Sequence, residues 1–357
     1  MRILLLSAYD AVSHRYWHKG LTQQFPEHHW QVLTLPDRHF SWRLRGNSLT
    51  WGFGEYRGIL EQPWDQVIAT SMVDLSSLRG MVPALGQCKQ TTVYFHENQF
   101  AYPRSEQQRF SPVEPQLQSI YSALCAQQLV FNTEYNRETF FSGAARLLKK
   151  LPDHVPAGVM DNLQAISRVI PVPLASDVPT HSIATPSDKP VITWAARWEY
   201  DKGPQRLLAI LQRLEQYGCD YQLCLLGQSF RKRPTEFETI EKTYQHRLIQ
   251  FGHADSRDEY LQWLQKSDVI LSTSQHEFQG ISVLEAVACG ASPVLPNDQS
   301  YPYLFDQKYL YDTEEQAAAM IVKAIHAKQA AKLTPVDVSA YRWCTLRDEY
   351  EALLSNH

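Results

Sequence analysis

Short apolar runs punctuate the first half of the chain at Ile3 to Ser7, Gln31 to Leu35, Gln66 to Thr70, Thr91 to Phe95, Gln128 to Asn132 and Arg168 to Val172. Stretches with helical spacing lie between them. Runs of this length bounded by helices predict parallel strands with helices on both sheet faces. The rhythm stops over 171–190, where Pro171, Pro173, Pro179, Pro186 and Pro190 fall within twenty residues, the composition of a linker. It restarts at Val191 to Ala196 and continues through Tyr221 to Leu226, Leu248 to Gly252, Val269 to Ser274 and Ser292 to Leu295. The expectation is two doubly wound α/β domains, 1–170 and 191–338, joined by the linker 171–190. A final helical segment, 339–357, should pack back on the first domain.

A chain of 357 residues exceeds one ordinary core and suits two. Its net charge of −4 argues against a surface that coats nucleic acid uniformly, which leaves local basic patches as the places to inspect. The six cysteines, Cys88, Cys125, Cys219, Cys224, Cys289 and Cys344, are dispersed without a Cys-x-x-Cys pair, so neither a disulfide framework nor a zinc site is indicated. Nor does any other His/Cys/Asp/Glu spacing make a metal site. The N-terminus reads as a first buried strand and not as a signal peptide, and no run has the length of a membrane span. The protein is expected in the cytoplasm, with no stable membrane insertion.

In open α/β sheets ligands bind beyond the carboxyl ends of the strands, so polar residues just after strands carry the chemistry. The segment His276-Glu277-Phe278-Gln279-Gly280-Ile281-Ser282-Val283-Leu284-Glu285 follows one such strand and enters a helix expected over Ile281 to Cys289. A helix N-terminus presents unpaired N–H groups and partial positive charge, and Gly280 lets a ligand approach the main chain. That suits a phosphate. Glu277 on the loop could hold sugar hydroxyls, and Glu285 a turn into the helix could accept hydrogen bonds from a diol. Two glutamates eight apart also arise by chance, so the context has to carry the reading. The context is Arg197 to Pro204, where Arg197 and Lys202 leave another strand and could converge on a diphosphate, stabilising charge on a departing nucleoside diphosphate. The alternative is a solvated loop that caps the helix from Pro204.

In the first domain a strand empties into His96-Glu97-Asn98-Gln99, and His96 could hydrogen-bond a sugar or position an acceptor hydroxyl. A lone histidine is more often structural. His14, in the cluster Ser13 to Gly20 after the first strand, could face the same ligand. The stretch Arg38-His39-Phe40-Ser41-Trp42-Arg43-Leu44-Arg45 interleaves cations with aromatics, the combination that grips single-stranded RNA. Its alternative is a loop whose aromatics pack under the domain. Two basic groups, Arg146 to Lys150 and Arg231 to Arg233, could extend a polyanion path or be solvated faces, and the first could meet a membrane surface.

Together these features resemble the retaining GT-B glycosyltransferases that carry a Glu-x7-Glu motif. More narrowly, five strings look like the tRNA-queuosine α-mannosyltransferase family: Phe95 to Gln99 with Tyr102-Pro103, Leu151 to His154, Arg197-Trp198-Glu199 with Asp201-Lys202, Leu226 to Phe230, and His276-Glu277-Phe278. The resemblance implies two Rossmann-like domains facing each other across a cleft. It implies transfer of mannose from GDP-mannose to the cyclopentene diol of queuosine in the anticodon loop of aspartate tRNA. No metal or resident cofactor is implied. It implies diphosphate contacts for Arg197 and Lys202, sugar hydroxyls for Glu277, ribose hydroxyls for Glu285 and a backbone around Gly280 and Ile281 that faces sugar and phosphate. With Gly227 and Ser282 these are the residues expected at the donor, and His96, Glu277, Arg197 and Lys202 are those expected in catalysis. With tRNA as the acceptor, the polar and basic-aromatic residues read above, His14, Arg38, Trp42, Arg43, Arg45, Glu97, Asn98 and Gln99, are the ones expected to bind it. Two other functions stay open: a glycosyltransferase acting on a lipid or polysaccharide precursor, and a non-catalytic RNA-binding protein on the same fold. The sequence identifies no protein partner.

Overall fold

The first sheet begins with β1 (Arg2–Ser7) because Ile3 to Leu6 are apolar on both sides of the strand, and all four are fully buried. The computed structural model describes residues 1–102, 113–151, 153–180, 189–229, 233–329 and 335–355. Its chain divides into two units, Met1–Pro173 with Trp343–His357, and Leu174–Arg342. In the first, β2 (His29–Thr34), β3 (Gln66–Thr70), β4 (Gln90–Phe95), β5 (Gln128–Phe131) and β6 (Ser167–Val169) join β1 in the order β2-β1-β3-β4-β5-β6. The second holds β7 (Val191–Ala195), β8 (Gln222–Leu226), β9 (Leu248–Gly252), β10 (Val269–Leu271), β11 (Ser292–Pro296) and β12 (Leu310–Tyr311), ordered β12-β11-β10-β7-β8-β9. Every pairing between these strands is parallel.

Both sheets reverse their winding once, between β1 and β3 in the first and between β7 and β10 in the second. Those reversals are where loops splay apart and leave room for a ligand. Strand alternation separates two cores in the second unit: Ile192 and Trp194 of β7 face one cluster, Val191 and Ala195 the other. The helix Pro204–Tyr217 shows how one layer is specified. Proline stands at its first position, and Leu207, Ile210, Leu211 and Leu214 make the buried stripe.

Several predicted elements differ in extent, and three of the differences have a visible cause. β10 stops at Leu271 and not at Ser274: Ser272 N still donates to Val294 O of β11 at 3.1 Å, but its carbonyl accepts from Tyr311 Oη at 2.8 Å and its Oγ from Tyr301 Oη at 2.7 Å. β6 ends before Pro171, which has no N–H to offer. The described part of the proline-rich stretch is packed: Leu174 N donates to Tyr341 O at 2.7 Å, and Arg342 donates to the carbonyls of Val178 at 3.0 Å and Pro179 at 2.8 Å. Residues 181–188, with Pro186, lie outside the described residues.

The C-terminal helix Trp343–Leu354 belongs to the first unit. Its Tyr350 hydroxyl donates to Pro171 O at 3.0 Å, accepts from the Trp17 indole at 3.0 Å and lies 3.2 Å from the Tyr94 hydroxyl. Trp17 in turn stacks on Tyr94, 4.2 Å between ring centroids. Tyr350→Phe removes one oxygen and strands a buried donor and a buried acceptor. It should lower the stability of the first unit by about 1–3 kcal/mol, read as a shifted urea midpoint with an unchanged slope.

Candidate active site

At the winding reversal of the second sheet, the loop leaving β7 and the loop leaving β10 are tied by one lysine. Lys202, only 8% exposed, donates from Nζ to His276 O at 2.7 Å and Glu277 Oε2 at 3.3 Å, and lies 3.5 Å from Asp201 Oδ2. The backbones are laced as well: Thr273 Oγ1 donates to Lys202 O at 2.7 Å and Gln275 N to Asp201 O at 2.8 Å. Burial by itself would raise the Glu277 pKa. The ammonium of Lys202, its hydrogen bond, His276 and the Gly280 N–H outweigh that and hold the carboxyl below its usual range, so it is ionised.

Glu277 Oε1 accepts from Gly280 N at 3.0 Å and Phe278 N at 3.2 Å, which curls the loop into the helix Ile281–Ala288. Gly280 turns the corner at φ +72°, and a side chain there would also crowd the Tyr301 ring. The next two N–H groups, of Ile281 and Ser282, have no acceptor within the helix by construction. The Ser282 hydroxyl is spent on Ala195 O at 2.7 Å, so its contribution to a ligand comes from the backbone.

Arg197 stands beside this group on the same loop as Lys202, with its side chain 48% exposed and 3.1 Å from Glu199. Its neighbour Trp198 is buried and stacks on Phe237 at 4.4 Å, so the loop is anchored on one side and presents the arginine on the other. Gly227 explains how the adjacent loop fits. Ala196 N donates to Leu226 O at 3.1 Å and Trp198 N to Gln228 O at 3.0 Å, and a Cβ on Gly227 would overlap the Ala196 carbonyl. Glu285 is 3% exposed, with Oε1 accepting from Arg257 Nη2 at 2.5 Å and Oε2 from the Tyr260 hydroxyl at 3.0 Å. No motif in the chain points directly to Arg257 and Tyr260. The available signal is their place: three apart, at the start of the helix Arg257–Gln265 that follows β9.

In the first unit the winding reversal gathers a different chemistry. His96 is 4% exposed and stacks on His14 with centroids 4.2 Å apart, while Trp17 meets its edge at 4.9 Å. Burial, then His14 and His18, push the His96 pKa well below its ordinary value, so the ring is neutral. Its Nε2 is buried with no hydrogen-bond partner among the described residues. Glu97 receives His14 Nε2 at 3.1 Å and the Ser71 hydroxyl at 3.2 Å. Ser71, just after β3, was not anticipated.

Several residues expected at RNA are engaged within the first unit. His14 is 1% exposed and its Nε2 meets Glu97, while its Nδ1 is buried with no hydrogen-bond partner among the described residues. Arg43 is buried, donating from Nε to Pro36 O at 3.2 Å. The side chain of Asn98 is saturated: its amide donates to Asn136 and Thr139, and its oxygen accepts from Phe100 N and Ala101 N, a turn that sets the loop after β4. The basic-aromatic stretch is no loop, since Phe40–Phe53 is a helix entered through left-handed His39. That helix turns Trp42 (54%) and Arg45 outward, although Arg45 is paired with Asp74 at 3.2 Å and Glu114 at 3.3 Å. Arg38 is exposed, and half-buried Gln99 accepts Gln116 Nε2 on its backbone carbonyl at 3.2 Å. Arg146, Lys149 and Lys150 are exposed near the C-terminus of the helix Glu134–Lys150, where positive charge suits the dipole. Arg233 pairs with Glu241 at 3.3 Å; Pro103, Pro152, Phe230, Arg231 and Lys232 lie outside the described residues.

The state of His96 sets a direction for stability with pH. Unfolded, the ring takes a proton near 6.5; folded, it resists until much lower pH. Between those values the unfolded state binds more protons, so stability should fall as pH drops below 6.5, by up to about 1.4 kcal/mol per unit from this group. Urea unfolding between pH 7.5 and 5.5 should show a steeper loss in the wild type than in His96→Gln. Parallel pH profiles would refute the assignment.

Residues 2–174 match the family model described as tRNA-queuosine alpha-mannosyltransferase N-terminal, and residues 180–333 match glycosyl transferases group 1. Among solved structures, sucrose-phosphate synthase from Thermosynechococcus elongatus aligns with a TM-score of 0.73 at 14% identity, covering 99% of this chain and 98% of that one. Anabaena HepE in complex with UDP and glucose aligns with a TM-score of 0.68 at 14% identity over 99% of both chains. These likenesses establish the fold, which is GT-B. A tRNA-queuosine alpha-mannosyltransferase from Drosophila melanogaster is 30% identical over 321 residues, 87% of this chain and 83% of the relative. With that identity over most of both chains, and with the matching N-terminal domain, this chain belongs to the tRNA-queuosine alpha-mannosyltransferase family.

Proposed function

We propose that this glycosyltransferase moves mannose from GDP-mannose to the cyclopentene diol of queuosine in the anticodon loop of aspartate tRNA, with retention at the anomeric carbon. One observation carries the donor half: Lys202, ionised Glu277 and the N-terminus of the helix Ile281–Ala288 meet at the winding reversal of the second sheet. Lys202 and Arg197 supply positive charge for the diphosphate, joined by the N–H groups of Ile281 and Ser282. Glu277, already accepting Lys202 and Gly280, holds mannose hydroxyls. Glu285 takes the ribose diol, and Gly227 keeps the neighbouring loop low enough for the nucleotide.

Transfer on the front face needs no protein nucleophile. The bond from the anomeric carbon to the β-phosphate oxygen breaks with its electron pair going to phosphate. The queuosine hydroxyl oxygen bonds to the same face, and its proton passes to the departing phosphate. Arg197 and Lys202 stabilise the charge that develops there, a role that invokes no metal. His96, neutral and with an open ring nitrogen, offers a hydrogen bond to a sugar or acceptor hydroxyl. Exposed Trp42 offers a stacking face to an unpaired base, Arg38 and Arg45 offer charge to phosphates, and Glu97 and Gln99 supply polar groups near the acceptor. The same reading puts the enzyme in the cytoplasm, with tRNA.

The test incubates the protein with queuosine-containing tRNA and a panel of nucleotide sugars, then searches the digested nucleosides by mass spectrometry. A hexose on queuosine from GDP-mannose is the expected result, and no hexose from any donor would refute the proposal. Arg197→Ala, at an exposed position, should stay folded and lose about 100-fold or more in turnover.

A further inference from the structure

The charge network around Glu285 reaches beyond the residues assigned to the donor. A carboxylate 3% exposed needs compensation, and it receives two donors from one helix face: Arg257 at 2.5 Å on Oε1 and Tyr260 at 3.0 Å on Oε2. Each carboxylate oxygen has a second lone pair, so this arrangement leaves one acceptor position on each oxygen, as two adjacent hydroxyls require. Arg257 is itself held. Its Nε and Nη2 form a two-point fork with Asp177, both at 3.0 Å, and its guanidinium lies 5.3 Å from the Tyr260 ring centroid. Asp177 sits on a segment whose next two carbonyls, of Val178 and Pro179, are pinned by Arg342.

We infer that Arg257 is a positioning residue for donor selection: anchored by Asp177 and backed by Tyr260, it aims Glu285 so that the enzyme discriminates for a nucleotide with an intact ribose diol. This rests on the proposed reading of Glu285 as the ribose carboxylate. An arginine whose Nε and Nη2 are held by Asp177, and whose Nη2 also meets Glu285, cannot swing freely to the ligand, which is why its influence is placed through Glu285 and not in direct contact. Tyr260 supplies the complementary constraint, since without its hydroxyl the carboxylate could rotate about its last torsion.

The experiment compares calorimetric affinities for GDP and 2′,3′-dideoxy-GDP in the wild type, Glu285→Gln, Arg257→Met, Tyr260→Phe and Asp177→Asn. The wild type should favour GDP by at least about tenfold, as hydrogen bonds to a charged group do. Arg257→Met should erase most of that preference by weakening GDP while leaving the dideoxy nucleotide within about twofold. Should Arg257→Met fail to fold, Asp177→Asn and Tyr260→Phe carry the test, each with a preference reduced by about threefold. If Glu285→Gln keeps the full preference, the ribose reading itself is wrong. If Glu285→Gln abolishes it while the Arg257, Tyr260 and Asp177 variants keep it, the ribose reading stands and the positioning inference falls. Equal weakening of both nucleotides in Arg257→Met would also overturn the inference, since it would place the arginine against the diphosphate or base.

Discussion

A buried ammonium is tolerated only where opposite charge and carbonyl oxygens replace water, and Lys202 meets that condition by drawing on two loops at once. Asp201 lies beside it in sequence, while Glu277 and the His276 carbonyl come from beyond β10. Removing one partner from such a group typically costs about 3–5 kcal/mol, because a charge is left uncompensated. The same contacts keep Glu277 ionised and pull it against the Gly280 N–H. The direction in which the helix Ile281–Ala288 presents its N-terminus thus depends on a lysine some seventy-five residues earlier. Fold and site share one electrostatic knot.

The first unit solves its own reversal point with the opposite chemistry. His96 and His14 stack as rings, walled by Trp17 and Tyr94, and burial keeps His96 neutral. The wall depends on the C-terminal helix, whose Tyr350 closes the hydrogen bonds of Trp17 and Pro171. A neutral, directional hydrogen-bonding group fits an uncharged hydroxyl. The corner of the second unit is charged instead, with Lys202 and Arg197 set among Asp201, Glu277 and Glu199. The two units therefore differ in the ligand chemistry they can meet, despite having the same kind of sheet.

Much of this was legible in the chain. The buried strands declared themselves through apolar runs, because a strand covered on both faces has no polar position to hide. Lys202, Glu277 and Gly280 declared themselves because they follow strands and combine charge with a flexible backbone. The failures have a common cause. Asn98 and Arg43 are polar residues that looked available, yet the fold uses them to satisfy its own backbone: Asn98 builds the turn after β4 and Arg43 binds the Pro36 carbonyl. The run Val269 to Ser274 predicts a longer β10, but the Ser272 carbonyl and hydroxyl accept from Tyr311 and Tyr301, whose side chains come from later in the chain. Which polar groups are consumed internally is settled by partners distant in sequence.

Periodicity and local chemistry by themselves determined the two alternating α/β halves, the break near residue 171 and the loops that bear charge, since each follows from neighbours within a few residues. Tertiary structure alone decided the rest. It paired Glu285 with Arg257 across 28 positions, brought Ser71 and His14 to one carboxylate, and turned Trp42 outward while burying Arg43 one residue later. Those outcomes depend on which sheet edges adjoin and which buried charges find compensation. Such terms belong to pairs of distant residues, so no window along the chain contains them.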